Sequence, residues 1–413
     1  MPTFTPMRFL FTLFLFGAFT AYGYINPSAS SIFSFPRIEG DDPNEKIKTG
    51  ADQTDKYLPY LKDKRVGMVI NATSIIGQKS SVDSLRALGI NIVKIFGPEH
   101  GFRGNASDGA KVDNTVDPRT GIPIISLYGK HFKPTKEDLK EIDILIFDIQ
   151  DVGARFYTYI STLHYVMDAC AENNLELMIW DRPNPNGFYV DGPVLNSNFK
   201  SFTGMHPVPI VHGMTIAEYA QMINGEGWLM NKAVCKLKII QVENYLHSTP
   251  YELPIPPSPN LNSSPSILLY PSLCLFEGTM ISVGRGTYSP FQILGSPELK
   301  GKYDFSFTPV SIPGMSDTPL HENMVCYGID LHQYNVNKIK KSGKLNLDWL
   351  MELYQAYPLK DQFFKTRGFD RLAGTNQLRM QIIEQRSVKH IRQSWEPALS
   401  QYKAMRERYL LYR

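Results

Sequence analysis

Residues 91–104 read NIVKIFGPEHGFRG, and the parsing of this stretch decides the fold. Its first half, Asn91 to Phe96, is an apolar, β-branched run. Gly97, Pro98, Gly101 and Gly104 then break any helical continuation, because proline lacks an amide donor and glycine favours turns. The stretch is therefore a strand that delivers Glu99, His100 and Arg103 to a loop. Upstream, RVGMVINA (65–72) is a buried-strand pattern running out into Asn71, and SVDSLRALG (81–89) has helical spacing with a terminal glycine. The order so far is strand, helix, strand.

The alternation continues downstream. GIPIISLYG (121–129) reads as a strand, and TKEDLKEID (135–143) reads as a helix with Thr135 as its N-cap and acidic residues in the first turn. IDILIFDIQD (142–151) is an almost wholly apolar strand whose far end carries Asp148, Gln150 and Asp151. A long amphipathic helix in YISTLHYVMDACAENN (159–174) precedes a further strand, ELMIWDRPNPNG (176–187), which ends in Asp181 and Arg182. Strands separated by helices at this rhythm predict an α/β fold with a Rossmann-like parallel sheet covered on both faces.

After about residue 205 the texture changes. Thr215 is placed to cap a helix, CKLKIIQV (235–242) reads as a strand, and a Pro/Ser/Asn-rich loop occupies 254–266. MVCYGIDLH (324–332) is another strand pattern, and the chain from LDWLMELYQAY (347–357) onward is mainly helical. The division expected is a signal peptide over 1–23, a tail over 24–50, a Rossmann-like catalytic domain over 51–205, and a second α+β domain over 206–413.

Composition narrows the class. With 43% hydrophobic and 20% charged residues the 413-residue chain is globular, and a formal charge of +3 with no basic block argues against nucleic acid as a partner. Arg8 precedes the apolar run FLFTLFLFGAFTAYG, with Ala21 and Gly23 where a cleavage site would fall, so export to the periplasm or beyond is expected, with no stable membrane insertion after cleavage. Cys170, Cys235, Cys274 and Cys326 are scattered without metal-like spacing, which predicts buried thiols and no structural metal.

Ligands of open α/β sheets bind beyond the carboxyl ends of the strands, and Asn71, Glu99, Asp148, Asp151 and Asp181 all emerge there. No GxGxxG follows any strand, so no dinucleotide cofactor is expected. Four constellations carry chemistry. Glu99 with His100 and Arg103 suits general acid work among glycines. Asp148, Gln150, Asp151, Arg155 and Tyr157 in FDIQDVGARFYTY offer carboxylate, amide and phenol groups that suit sugar hydroxyls. DRPNPNG adds Arg182, Asn184 and Asn186, and FEGTMISVGRGT adds Glu277 and Arg285. Several carboxyls beside several arginines suit a substrate that is mostly neutral and anionic at one point, which Arg103, Arg155 or Arg285 could read. Two other classes fit the same residues: a metal-dependent hydrolase using His100, Asp148 and Asp181, and a non-catalytic exported sugar-binding protein.

The motifs GPEHGFRG, SLYGKHFKPT, FDIQDVGARFYTYISTLHYVMDAC, DRPNPNG, HGMTIAE and LFEGTMISVGRGTYSPFQ together resemble the exo-β-N-acetylmuramidase family over nearly the whole mature chain. The resemblance implies a Rossmann-like domain with a second, smaller α+β domain and the active site in the cleft between them, and release of N-acetylmuramic acid from the non-reducing end of peptidoglycan fragments without a cofactor. It also implies that muropeptides or disaccharides are the partners and that Glu99 is the leading catalytic carboxyl. For the second carboxyl the strand position favours Asp148 and Asp151, with Glu277 and Asp181 as rivals. Asn71, His100, Arg103, Gln150, Arg155, Tyr157, Arg182, Asn184 and Arg285 complete the expected substrate-binding set. Glycoside hydrolysis needs two carboxyl groups and no metal, and the lactyl carboxylate of muramic acid is the one anionic point.

Overall fold

Three stretches, Arg65–Ile70 (β1), Ile144–Asp148 (β7) and Glu176–Trp180 (β8), are apolar at almost every position, so both faces of each must be covered. The computed structural model describes residues 46–98, 115–129 and 131–413. Around these strands lie α1 (Thr54–Leu61), the hairpin β2 (Ile75–Ile76) and β3 (Lys79–Ser80), α2 (Ser81–Ala87), β4 (Asn91–Gly97), β5 (Thr115–Val116), β6 (Pro123–Ser126), α3 (Tyr159–Glu172), α4 (Ile216–Gly225) and β9 (Lys236–Ile240). The seven-stranded sheet runs β5-β6-β4-β1-β7-β8-β9. Its strands pair in parallel except β5, which pairs antiparallel to β6.

The period of two along each strand decides which layer covers which residue. Val66, Met68, Ile144, Ile146, Met178 and Trp180 face Tyr57 and Leu61 of α1 and Val82 and Leu85 of α2. Val69, Leu145, Phe147, Leu177 and Ile179 face the opposite layer, which includes Leu163 and Met167 of α3 and Tyr219 and Met222 of α4. Tyr57 stacks on Trp180 with ring centroids 4.3 Å apart, closing the first layer over the end of β8. Thr215 caps α4 as the sequence predicts, its hydroxyl accepting from Glu218 N while the Glu218 carboxylate reaches back to Thr215 N.

One predicted helix is absent. Residues 136–141 form turns rather than a helix. Thr135 does make the local cap, with its hydroxyl accepting from Asp138 N at 3.1 Å, but only Leu139 N to Thr135 O is a helical bond. Lys140 and Ile142 then bond three residues back, and Glu141 turns left-handed at φ 66°. So short a segment before β7 does not repay the cost of helix nucleation.

The later chain adds α5 (Ser264–Leu273), then β10 (Ile293–Ser296), β11 (Phe305–Phe307) and β12 (Cys326–Asp330) in an antiparallel sheet of order β10-β12-β11. Helices α6 (Asn337–Ser342), α7 (Asp348–Ala356), α8 (Thr366–Ala373), α9 (Gln377–Ile383) and α10 (Val388–Arg406) follow. The end of the chain returns to the large sheet, where the Tyr412 hydroxyl donates to Asp181 Oδ2 at 2.7 Å and accepts from Val242 N at 2.8 Å. All four cysteines are buried thiols. Among the described residues no helix is long and apolar enough to cross a membrane. The N-terminal segment read as a signal peptide lies outside the described residues.

Candidate active site

From β1 the chain moves to β4 and β6 on one side of the sheet, then returns to β7, β8 and β9 on the other, so the switch point lies between β1 and β7. Ile70 and Asp148 are register partners there, which sets Asn71 beside the end of β7. The polar groups at this point bind one another. Asn71 Oδ1 accepts from Thr73 N at 2.9 Å and from the Thr73 hydroxyl at 2.6 Å, and Gln150 N donates to that hydroxyl at 3.1 Å. Gln150 Nε2 donates to the carbonyls of Asp151 (2.8 Å) and Pro183 (2.7 Å). Arg182 Nε donates to Asp148 Oδ1 at 2.7 Å, with both side chains buried. Burial pushes the Asp148 carboxyl up, against the pull of Arg182. On Arg182 burial works against the charge, and Asp148 outweighs it to hold the guanidinium above its ordinary value.

The other strand-end residues are also enclosed. Asp151 Oδ2 accepts from Gly153 N at 2.6 Å and lies 3.5 Å from His212 Nε2. Asp181 accepts from Ala217 N at 3.0 Å and from Tyr412, and burial pushes its carboxyl up to about 6. Asn184 gives its amide to the Met214 carbonyl at 2.9 Å, and Asn186 gives its amide to the carbonyls of Val152 and Ile267. Arg155 spends its fork on the carbonyls of Pro193, Val208 and Leu372, and burial lowers it to about 9. None of Asn71, Asp148, Gln150, Asp151, Arg155, Asp181, Arg182 or Asn184 lines a cavity with the residues described next. Glu99, His100 and Arg103 lie outside the described residues.

A cavity of about 220 Å³ opens where loops from the ends of the sheet meet the chain after residue 257. Tyr128, just past β6, and Tyr157, past β7, line it together with Asn260, Glu277 and Arg285 from the later chain. Three of the residues read from the sequence therefore come together here: Tyr157, Glu277 and Arg285. Tyr157 is fixed by its hydroxyl, which donates to the Pro257 carbonyl at 2.7 Å.

Local backbone explains how the charged pair is held. Glu277 sits in a 3₁₀ turn, Cys274–Gly278, that continues α5, and Lys365 N fastens the turn by donating to the Gly278 carbonyl at 2.9 Å. Arg285 stands between Gly284 (φ 81°) and Gly286 (φ 80°). Both glycines are left-handed, and a Cβ on Gly284 would come within 2.6 Å of Ile293, so this turn requires glycine on each side of the arginine. Arg285 Nε donates to Glu277 Oε1, and its guanidinium carbon lies 5.3 Å from the centre of the Phe291 ring. The Cys274 thiol is 3.4 Å from Glu277 Oε2. Among the described residues the cavity thus presents one carboxylate, half-buried and oriented by a guanidinium, in a lining rich in tyrosine and phenylalanine.

Asn260 and Phe202 line the same cavity and were not singled out by the sequence. Asn260 sits in the Pro/Ser/Asn-rich loop. It is 2% exposed, its Nδ2 donates to the Met315 carbonyl at 2.8 Å, and its Oδ1 has no partner among the described residues. A loop asparagine carries no periodic signal, so only tertiary contact reveals it.

Comparison with known proteins identifies this assembly. The family models described as exo-beta-N-acetylmuramidase NamZ, N-terminal and C-terminal, match residues 66–265 and 268–412. The chain belongs to the exo-β-N-acetylmuramidase NamZ family. It is 37% identical over 425 residues to the peptidoglycan beta-N-acetylmuramidase NamZ of Bacillus subtilis (strain 168), covering 99% of each chain. Crystal structures of two DUF1343 family proteins from Bacteroides fragilis NCTC 9343 superpose with TM-scores of 0.83 and 0.75, at 46% and 29% identity. Each comparison covers 89% of this chain and 99% of the other. The two matches are separated by Ser266 and Ile267, inside α5, and the cavity draws lining residues from both sides of that boundary.

Proposed function

We propose that this protein is an exported, exo-acting glycoside hydrolase that releases N-acetylmuramic acid from the non-reducing end of peptidoglycan fragments during cell-wall turnover or recycling. Family membership over nearly the whole chain supports the reaction. The N-terminal sequence pattern supports export, followed by removal of residues 1–23.

The Glu277–Arg285 pair is the observation that carries the assignment of roles. Glycoside hydrolysis needs one carboxyl to protonate the leaving oxygen and a second carboxylate to attack or to activate water. Glu99, which the family resemblance marks as the leading carboxyl, is the general acid in this reading. Glu277 is the second carboxylate, in preference to Asp148 and Asp151, because it borders the cavity while those two are buried in contacts with the protein itself. Arg285 reads the lactyl carboxylate of the substrate, since a guanidinium fork can serve Glu277 and a second anion at once. Tyr157 and Asn260 supply hydroxyl and amide contacts to the neutral part of the sugar.

The test of the acid role is the Glu99→Gln variant on a disaccharide of N-acetylmuramic acid and N-acetylglucosamine. The reading expects loss of sugar release by about 10²-fold or more. Release at the unaltered rate would remove Glu99 from the mechanism.

A further inference from the structure

The aromatic side of the cavity does not stop at its rim. Phe202, which lines the cavity, packs on Phe132 with ring centroids 4.2 Å apart, and Tyr165 of α3 stacks behind both at 6.1 Å from Phe132 and 6.4 Å from Phe202. All three side chains are only half-buried, so the cluster is an apolar surface reached from outside the cavity and continuous with it.

Its parts are held in place. Phe202 sits in a tight turn closed by Ser201 N to Gly204 O at 2.9 Å and Gly204 N to Ser201 O at 3.0 Å, and Ser161 of α3 donates to the Phe202 carbonyl at 2.7 Å. Next to Phe132, Lys133 is pinned to α3 by Asp168 and Glu172, each at 2.7 Å. Ser201 and Thr203, the chain neighbours of Phe202, bring their hydroxyls within 3.0 Å of each other, and Thr203 also lines the cavity. Rings fixed from one helix, with a hydroxyl-bearing residue beside them in the cavity lining, suit the apolar face and the polar rim of a pyranose.

We infer that Phe202 and Phe132, backed by Tyr165, form a stacking site for the sugar on the leaving-group side of the scissile bond, an uncharged N-acetylated hexose. The inference rests on the proposed function, in which the muramic acid ring fills the cavity itself. The next sugar then has to cross the rim where Phe202 stands. Continuity with the cavity, together with rigid presentation, separates this surface from an aromatic seal over α3.

The test compares two substrates in the full protein. The disaccharide of N-acetylmuramic acid and N-acetylglucosamine places a sugar on the stacking site, whereas the β-fluoride of N-acetylmuramic acid has a single-atom leaving group and places nothing there. Phe132, which stands outside the cavity lining, is the position to vary: Phe132→Leu keeps apolar bulk but removes the ring, and Phe132→Tyr keeps the ring. Phe132→Leu should lower kcat/KM about tenfold on the disaccharide, leave the fluoride within about twofold, and be rescued by Phe132→Tyr. Equal losses on both substrates, or no loss on either, would overturn the stacking site alone. If the unaltered protein hydrolyses neither substrate, the proposed function falls and the stacking site falls with it.

Discussion

Arg182 Nε donates to Asp148 Oδ1 at 2.7 Å with neither side chain open to solvent, so the switch point of the sheet is occupied by an ion pair of the protein's own. Removing one member leaves the other charge buried without compensation. Asp148→Ala or Arg182→Ala should each destabilise the protein by about 3–5 kcal/mol. Urea unfolding measures this, and a loss below about 1 kcal/mol for both variants would show the pair to be dispensable.

Acid should act through a second buried pair. His206 Nε2 and His164 Nδ1 are 3.0 Å apart, and His206 Nδ1 meets the Tyr219 hydroxyl at 3.1 Å. Burial lowers His164 to about 4, with Asp168 opposing and Lys200 and Lys133 assisting, and burial also lowers His206, assisted by His164. The unfolded chain takes up these protons first, near pH 6.5. Stability from the neutral imidazoles is therefore complete above that pH and is lost as pH falls toward about 4. Each histidine contributes a slope of about 1.4 kcal/mol per pH unit in that window. Unfolding free energies measured from pH 4.5 to 6.5 should fall less steeply in His164→Gln, and an unchanged slope would contradict the account.

Asn260 offers a test in which stability and activity part company. Its Oδ1 is buried without a partner among the described residues, a cost that a substrate donor would relieve. Among the described residues, Asn260→Ala removes the bond to Met315 from the free protein. The expected result is a stability change of about 1 kcal/mol or less with about a tenfold fall in kcat/KM on the disaccharide. Unaltered kinetics would take Asn260 out of the site.

The parallel sheet was legible because each central strand is a short apolar run followed by polar loop residues, a pattern that local sequence alone produces. Thr215 likewise announces α4. By contrast α5 gives no helical stripe, since Ser266 through Leu273 are all buried and Pro271 lies within it. A helix covered on every side has no periodicity to read. Strand position correctly brought Asp148, Asp151 and Asp181 to one edge of the sheet, but sequence does not say whether a strand-end carboxylate faces a cavity or caps its own fold. Asp181 shows why, because its partner Tyr412 lies 231 positions away. Glu277 and Arg285 were visible as a glycine-flanked pair, although their meeting with Tyr157 in one cavity depends on how the later chain packs on the sheet.

The most direct test of the central claim, that Glu277 and not the buried strand-end aspartates completes the catalytic pair, is the rate of N-acetylmuramic acid release from the disaccharide by Glu277→Gln beside Asp151→Asn, each at a temperature where both remain folded. The account predicts a fall of about 10³-fold or more for Glu277→Gln and less than about tenfold for Asp151→Asn. The reverse order, or near-full activity in Glu277→Gln, would contradict it.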